Sequence, residues 1–161
     1  MGPVLADDEA VAAYARDGVV CLRSVLDGEQ VAAAARAIDA VLARPGPLAQ
    51  VASAADDPGA FTEDFCRWRE IPQIERLARY SRVPAAAAAL MATPQARFYH
   101  DHVLVKEGET RQRTPWHQDQ PYYNVDGRGV SVWIPVGPGL DAELAPGAAM
   151  DHPLFPVVWP R

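Results

Sequence analysis

Apolar residues recur at three- and four-residue intervals through the first half of the chain, and the period shortens after Thr93-Pro94. Acidic Asp7-Asp8-Glu9 before an apolar stretch that stops at Gly18 predicts a helix over 8–16. Val19-Val20-Cys21-Leu22-Arg23 is short, apolar and partly β-branched, which predicts a strand. Asp27-x-x-Gln30 has capping-box spacing and opens a long helix to about Arg44, with Val31, Ala34, Ile38, Val41 and Leu42 on the face expected to meet the core. Pro45-Gly46-Pro47 ends that helix, and the stretch to Gly59 reads as a loop. Ile74, Leu77 and Ala78 then mark a further helix, and Pro84 suits the first turn of an Ala-rich helix ending near Met91. The N-terminal half is therefore expected to be mostly helical.

Between Arg97 and Glu107 strand alternation places Phe98, His100, His102, Leu104 and Lys106 on one mixed face. A polar loop over 108–113 leads to Thr114-Pro115-Trp116-His117-Gln118-Asp119, and Val130–Val136 predicts another strand. Helices first and strands later give an α+β fold class. From Pro135 onward six of the 15 prolines fall in a stretch with few β-branched runs, so continued sheet is not expected there.

Composition changes this picture in three respects. Hydrophobic residues at 49% and charged residues at 22% are ordinary globular usage, so a buried core is expected in a chain whose 161 residues suit one domain. With 15 Lys and Arg against 21 Asp and Glu the net charge is −6, the wrong sign for a phosphate-backbone partner, and no apolar run is long enough for a membrane span. The first nine residues lack the basic and apolar regions of a secretory leader, and Ala6 stands where a myristoylation motif needs Ser or Thr, which points to a cytoplasmic protein. Cys21 and Cys66 form no C-x-x-C pair, so both are expected to be reduced and buried.

His117-x-Asp119 carries the sharpest chemistry. In an extended backbone side chains at i and i+2 leave on the same side, so the imidazole and carboxylate can reach one metal ion from adjacent corners. A second His elsewhere would complete a 2-His-1-carboxylate triad of the kind that leaves positions open on Fe(II). The spacing by itself is a weak signal, since a surface His beside a solvated Asp produces the same tripeptide. His100 and His102 are also two apart; we assign His102 to a substrate cavity, with hydrogen-bonded strand positions as the plain alternative. Tyr122 and Tyr123 are placed at the rim of that cavity, with core packing the equal alternative.

The surrounding motifs widen the basis. Phe98-Tyr99-His100-Asp101-His102-Val103-Leu104-Val105-Lys106-Glu107, Thr114 through Asn124, and Val132-Trp133-Ile134-Pro135 stand in that order, after Arg16-Asp17-Gly18-Val19-Val20 and Phe61-x-Glu63-Asp64-Phe65-Cys66-Arg67-Trp68-Arg69. Over roughly residues 5–136 this resembles the phytanoyl-CoA dioxygenase family of Fe(II)- and 2-oxoglutarate-dependent oxygenases. The resemblance implies an N-terminal helical layer packed on a jelly-roll (double-stranded β-helix) core. It also implies a hydroxylase that uses Fe(II), 2-oxoglutarate and O2 on a small organic substrate. His117 and Asp119 match iron ligands, while Trp133 and Lys106 match the 2-oxoglutarate pocket. The expected organisation is one domain over 1–161, with 1–92 mainly helical, 93–136 part of the jelly roll with the metal motif, and 137–161 an irregular Pro-rich tail.

The family's third ligand is a His well downstream, followed by an Arg for the distal carboxylate of 2-oxoglutarate, a task suited to a planar guanidinium. Here only His152 and Arg161 remain, in Pro-rich sequence, and Pro146-Gly147-Ala148-Ala149 keeps half of a Pro-Gly-Ser-His-like turn. The abrupt change near Gly137 is read as truncation or a frame shift that leaves the jelly roll incomplete. Two rival functions stand beside the dioxygenase: a catalytically inactive remnant or interaction module, and a cupin-like non-redox metal protein using His100, His102 and His117. Oligomeric state is not encoded in any of these features.

Overall fold

The computed structural model describes residues 6–136, with Trp116, Gln118 and Asp126 excepted. The tail 137–161, including His152 and Arg161, lies outside the described residues. The elements run α1 (Asp8–Asp17), α2 (Gly28–Ala43), β1 (Gln50–Val51), β2 (Phe61–Phe65), α3 (Pro72–Tyr80), α4 (Val83–Leu90), β3 (His102–Lys106) and a 3-10 turn (Gln120–Tyr122). Among the described residues this is an α+β arrangement of four helices and one small antiparallel sheet in the order β1-β2-β3. The chain divides into two units, described separately: residues 28–81 with 98–114, and the described parts of 1–27, 82–97 and 115–161.

The first of these units holds the sheet. Its core is Ala37 and Val41 from α2 with Ile71 and Ile74 at the start of α3, and Trp68 and Val103 pack against them. The buried stripe of α2 is Ala34, Ala37 and Val41. It is rotated from the expected face, since Val31 and Leu42 are exposed, and a narrow stripe with alanines at its centre lets neighbouring elements approach closely. Pro72 takes the first turn of α3, where its missing N–H has no intrahelical partner to lose.

Strand β2 pairs with β3 from Phe61 opposite Lys106 to Phe65 opposite His102. Gly59, just before β2, lies so close to the facing backbone that a Cβ would come within 2.3 Å of the Gly108 carbonyl oxygen, which restricts the position to glycine. Neither β1 nor β2 was foreseen in the half expected to be mostly helical. The Phe61–Phe65 sequence puts two acidic residues in the middle of the strand, and so it breaks the alternation by which strands are recognised.

One of those acids explains itself in three dimensions. Asp64 and Arg67 form an ion pair in which each side chain is only 1% exposed. The Asp64 carboxylate also accepts from the Gly46 and Phe65 backbone N–H groups, both at 2.8 Å. The guanidinium donates onward to the Arg44 carbonyl at 3.0 Å and to Glu70 at 3.3 Å, tying the chain just beyond the end of α2 to the turn after β2. Burial by itself would raise the pKa of Asp64, but the Gly46 N–H, the Arg67 guanidinium and the Phe65 N–H outweigh it and hold the carboxyl below its ordinary range. On the opposite side of the turn, Asp101 accepts from the Arg67 and Trp68 N–H groups, each at 3.0 Å.

In the second unit α1 is capped as expected. The Asp7 carboxylate accepts from the Ala10 N–H at 2.8 Å, and Gly18 adopts the left-handed conformation at φ 75° with its N–H on the Tyr14 carbonyl. Helix α1 packs against α4, whose Ala86 and Ala87 are buried.

Three further expectations are corrected. Val19–Arg23 and Val130–Val136 belong to no strand ladder among the described residues. Cys21 and Cys66 are free, as expected, but exposed: Cys21 lies in the connection after α1, and Cys66 occupies a turn at φ 61°.

Candidate metal centre

His117 and Asp119 lie just before the 3-10 turn Gln120–Tyr122, whose last N–H, that of Tyr122, donates to the Asp119 carbonyl at 2.9 Å. The imidazole Nδ1 is 2.8 Å from the Pro115 carbonyl oxygen. A carbonyl only accepts, so Nδ1 carries a hydrogen, and Nε2 is the ring nitrogen available to a proton or a metal ion. That nitrogen lies 3.2 Å from Asp119 Oδ1. Two acceptors so placed need a cation between or beside them, either a proton or a metal ion. Two ligands about 2.1 Å from one ion and at right angles stand about 3.0 Å apart, so the observed separation suits adjacent corners of one coordination sphere. The other carboxylate oxygen, Oδ2, accepts from the Ser131 hydroxyl at 2.9 Å. The Tyr122 ring stands edge-on to His117 with centroids 6.2 Å apart.

A family model for phytanoyl-CoA dioxygenase (PhyH) matches residues 14–138. The chain belongs to the phytanoyl-CoA dioxygenase family. The match spans the chain from the last turns of α1 past the metal motif and the Trp133 segment, and the family is one of Fe(II)- and 2-oxoglutarate-type oxygenases. No curated protein and no solved structure matches the chain.

Against this family background the other site residues fall as follows. Trp133 is 44% exposed, two positions beyond Ser131. Tyr122 is exposed and Tyr123 half-buried. Lys106 and His102 belong to the sheet unit. There the Lys106 ammonium lies 4.5 Å from the centroid of its cross-strand partner Phe61 and donates to Thr114 Oγ1 at 3.1 Å. Burial pulls the pKa of Lys106 below its ordinary value, with Glu63 opposing. His102 stacks on its own cross-strand partner Phe65 at 3.9 Å between centroids, and its Nε2 is 3.7 Å from Glu63 Oε1. His100 places Nδ1 3.0 Å from the Asp101 carbonyl oxygen.

Among the described residues no three His, Cys, Asp or Glu side chains converge to hold a metal ion. His152, the remaining histidine of the chain, lies outside those residues. Likewise, among the described residues no helix is long and apolar enough to cross a membrane. Two contributors escaped the sequence reading: the Pro115 carbonyl, which nothing in the sequence could single out, and Ser131, whose position on the Trp133 side of an alternating segment was the only signal.

Proposed function

We propose that the chain is an Fe(II)- and 2-oxoglutarate-dependent dioxygenase that hydroxylates a small organic substrate. The observation that carries this reading is the His117 Nε2 to Asp119 Oδ1 approach of 3.2 Å with Nδ1 turned to the Pro115 carbonyl. His117 and Asp119 are the proposed iron ligands, and a third donor is assigned to the chain beyond residue 136, where His152 is the available histidine. When bound, ferrous iron with 2-oxoglutarate and O2 supplies the oxidising chemistry that hydroxylates a C–H bond.

The chain's own residues orient and exclude. The Pro115 carbonyl fixes the imidazole tautomer, the carboxylate supplies one negative charge that helps neutralise the cation, and Trp133 is the proposed apolar wall for 2-oxoglutarate. Tyr122 and Tyr123 are proposed to border the substrate. Lys106 and His102 each have a structural partner that accounts for them, so neither is needed in this scheme. A jelly-roll core is the proposed completion of the three-stranded sheet. A reducing, cytoplasmic address is proposed on the two free and exposed cysteines.

The Pro146-Gly147-Ala148-Ala149 stretch, which keeps only half of the family's Pro-Gly-Ser-His-like turn, favours one competing reading, a non-catalytic member of the family. The two differ in one assay. With Fe(II), ascorbate and 2-oxoglutarate in air, the dioxygenase reading predicts slow succinate formation without added substrate, falling to background in His117→Ala. Background-level succinate in folded wild-type protein that binds Fe(II) would favour the non-catalytic reading.

A further inference from the structure

We infer that Ser131 is a positioning residue for the metal pair, its hydroxyl locking Asp119 so that a single carboxylate oxygen is offered to the cation. The inference rests on the metal-binding reading above and is separable from it. Ser131 Oγ donates to Asp119 Oδ2 at 2.9 Å, while Oδ1 faces His117 Nε2 at 3.2 Å. The two oxygens of one carboxylate are thus given different tasks. The Asp119 side chain is 13% exposed, while the Ser131 hydroxyl reaches Oδ2 from an exposed position.

A carboxylate can bind a cation through one oxygen or both, and an oxygen that already accepts a hydrogen bond is the poorer second ligand. Holding Oδ2 in this way favours one-oxygen binding and leaves more of the coordination sphere free for a co-substrate. The arrangement is symmetrical in logic: the Pro115 carbonyl holds the imidazole and Ser131 holds the carboxylate, so both ligands are aimed before any ion arrives. Because Ser131 precedes Trp133 by two residues, the same hydrogen bond also ties the Trp133 segment to the metal motif.

The test uses the full chain with Co(II) alone as the probe, followed by calorimetry and by visible absorption, in wild type, Ser131→Ala, Ser131→Thr and His117→Ala. Ser131→Ala is expected to weaken Co(II) binding by roughly 10-fold or more, within the range typical for partners of metal ligands. Its visible bands should also change intensity as Oδ2 joins the coordination, while the circular dichroism stays as in wild type. Ser131→Thr, which restores a hydroxyl, should return both affinity and spectrum. Ser131→Ala binding within about twofold of wild type with an unchanged spectrum would overturn the inference and leave the His117–Asp119 site standing. Equal weakening in Ser131→Thr would overturn it too, since the hydroxyl would then not be the cause. Wild-type protein that takes up no Co(II), or His117→Ala that takes it up equally well, would overturn the metal-binding reading and this inference with it.

Discussion

Asp64→Ala is expected to destabilise the chain by about 3–5 kcal/mol, the cost of stranding one partner of a buried ion pair. Arg67 would keep a guanidinium that is 1% exposed, and its Nε already has no hydrogen-bond partner. The Gly46 and Phe65 N–H groups would lose their shared acceptor as well. Domains of this kind are stable by only about 5–15 kcal/mol, so the variant should unfold at a much lower urea concentration and be poorly populated at 37 °C. A midpoint shift worth less than about 1 kcal/mol would show that the pair is not closed from solvent.

The pH dependence has a definite sign. Asp64 titrates below its unfolded value, so its stabilisation is fully present above the ordinary carboxylate range and is lost as pH falls through the depressed folded-state value. Wild-type stability should therefore fall as pH drops below the ordinary carboxylate range, and Asp64→Asn should flatten that part of the profile.

The second large effect falls on metal binding. Asp119→Ala and His117→Ala are each expected to lower Fe(II) affinity by at least about 100-fold, the upper end of what substitutions behind the ligands produce. Each removes one of two donors whose 3.2 Å separation is preset by the Pro115 carbonyl on one side and the Ser131 hydroxyl on the other. Neither residue belongs to the buried core, so melting curves in chelator should match wild type. The stabilisation that added Fe(II) gives the parent should vanish in both variants. Metal-dependent stabilisation that survives in both would place the ion elsewhere.

How much of this was legible in the sequence depends on whether the signal was local. Helices α1, α3 and α4 were readable because caps, Pro at the first turn and three-to-four spacing act within one turn of the chain. Strand β3 was readable from alternation, although it is shorter than the Arg97–Glu107 stretch expected. Strand β2 was hidden because Asp64 looks like a surface residue until Arg67, Gly46 and Arg44 are brought around it, and those partners lie up to 20 positions away in sequence. Val19–Arg23 has strand composition but joins no strand ladder among the described residues, a reminder that a ladder needs two backbones and that propensity describes only one.

For the candidate centre, the His-x-Asp spacing and the family motifs pointed to the pair before any geometry was available. The spacing could not tell which imidazole nitrogen is free. That follows from the Pro115 carbonyl, a backbone group that any residue would supply. Lys106 was drawn toward the site by the family resemblance and His102 by its two-residue spacing from His100. Their cross-strand partners, Phe61 and Phe65, supply a packing reason for both.

The central claim is that His117 and Asp119 present a ferrous ion to 2-oxoglutarate, and anaerobic absorption spectroscopy tests it most directly. Addition of Fe(II) and then 2-oxoglutarate to the folded chain should produce a weak visible charge-transfer band that disappears in His117→Ala. A folded wild-type chain that gives no band at saturating Fe(II) and 2-oxoglutarate, or a band untouched by His117→Ala, would contradict the account.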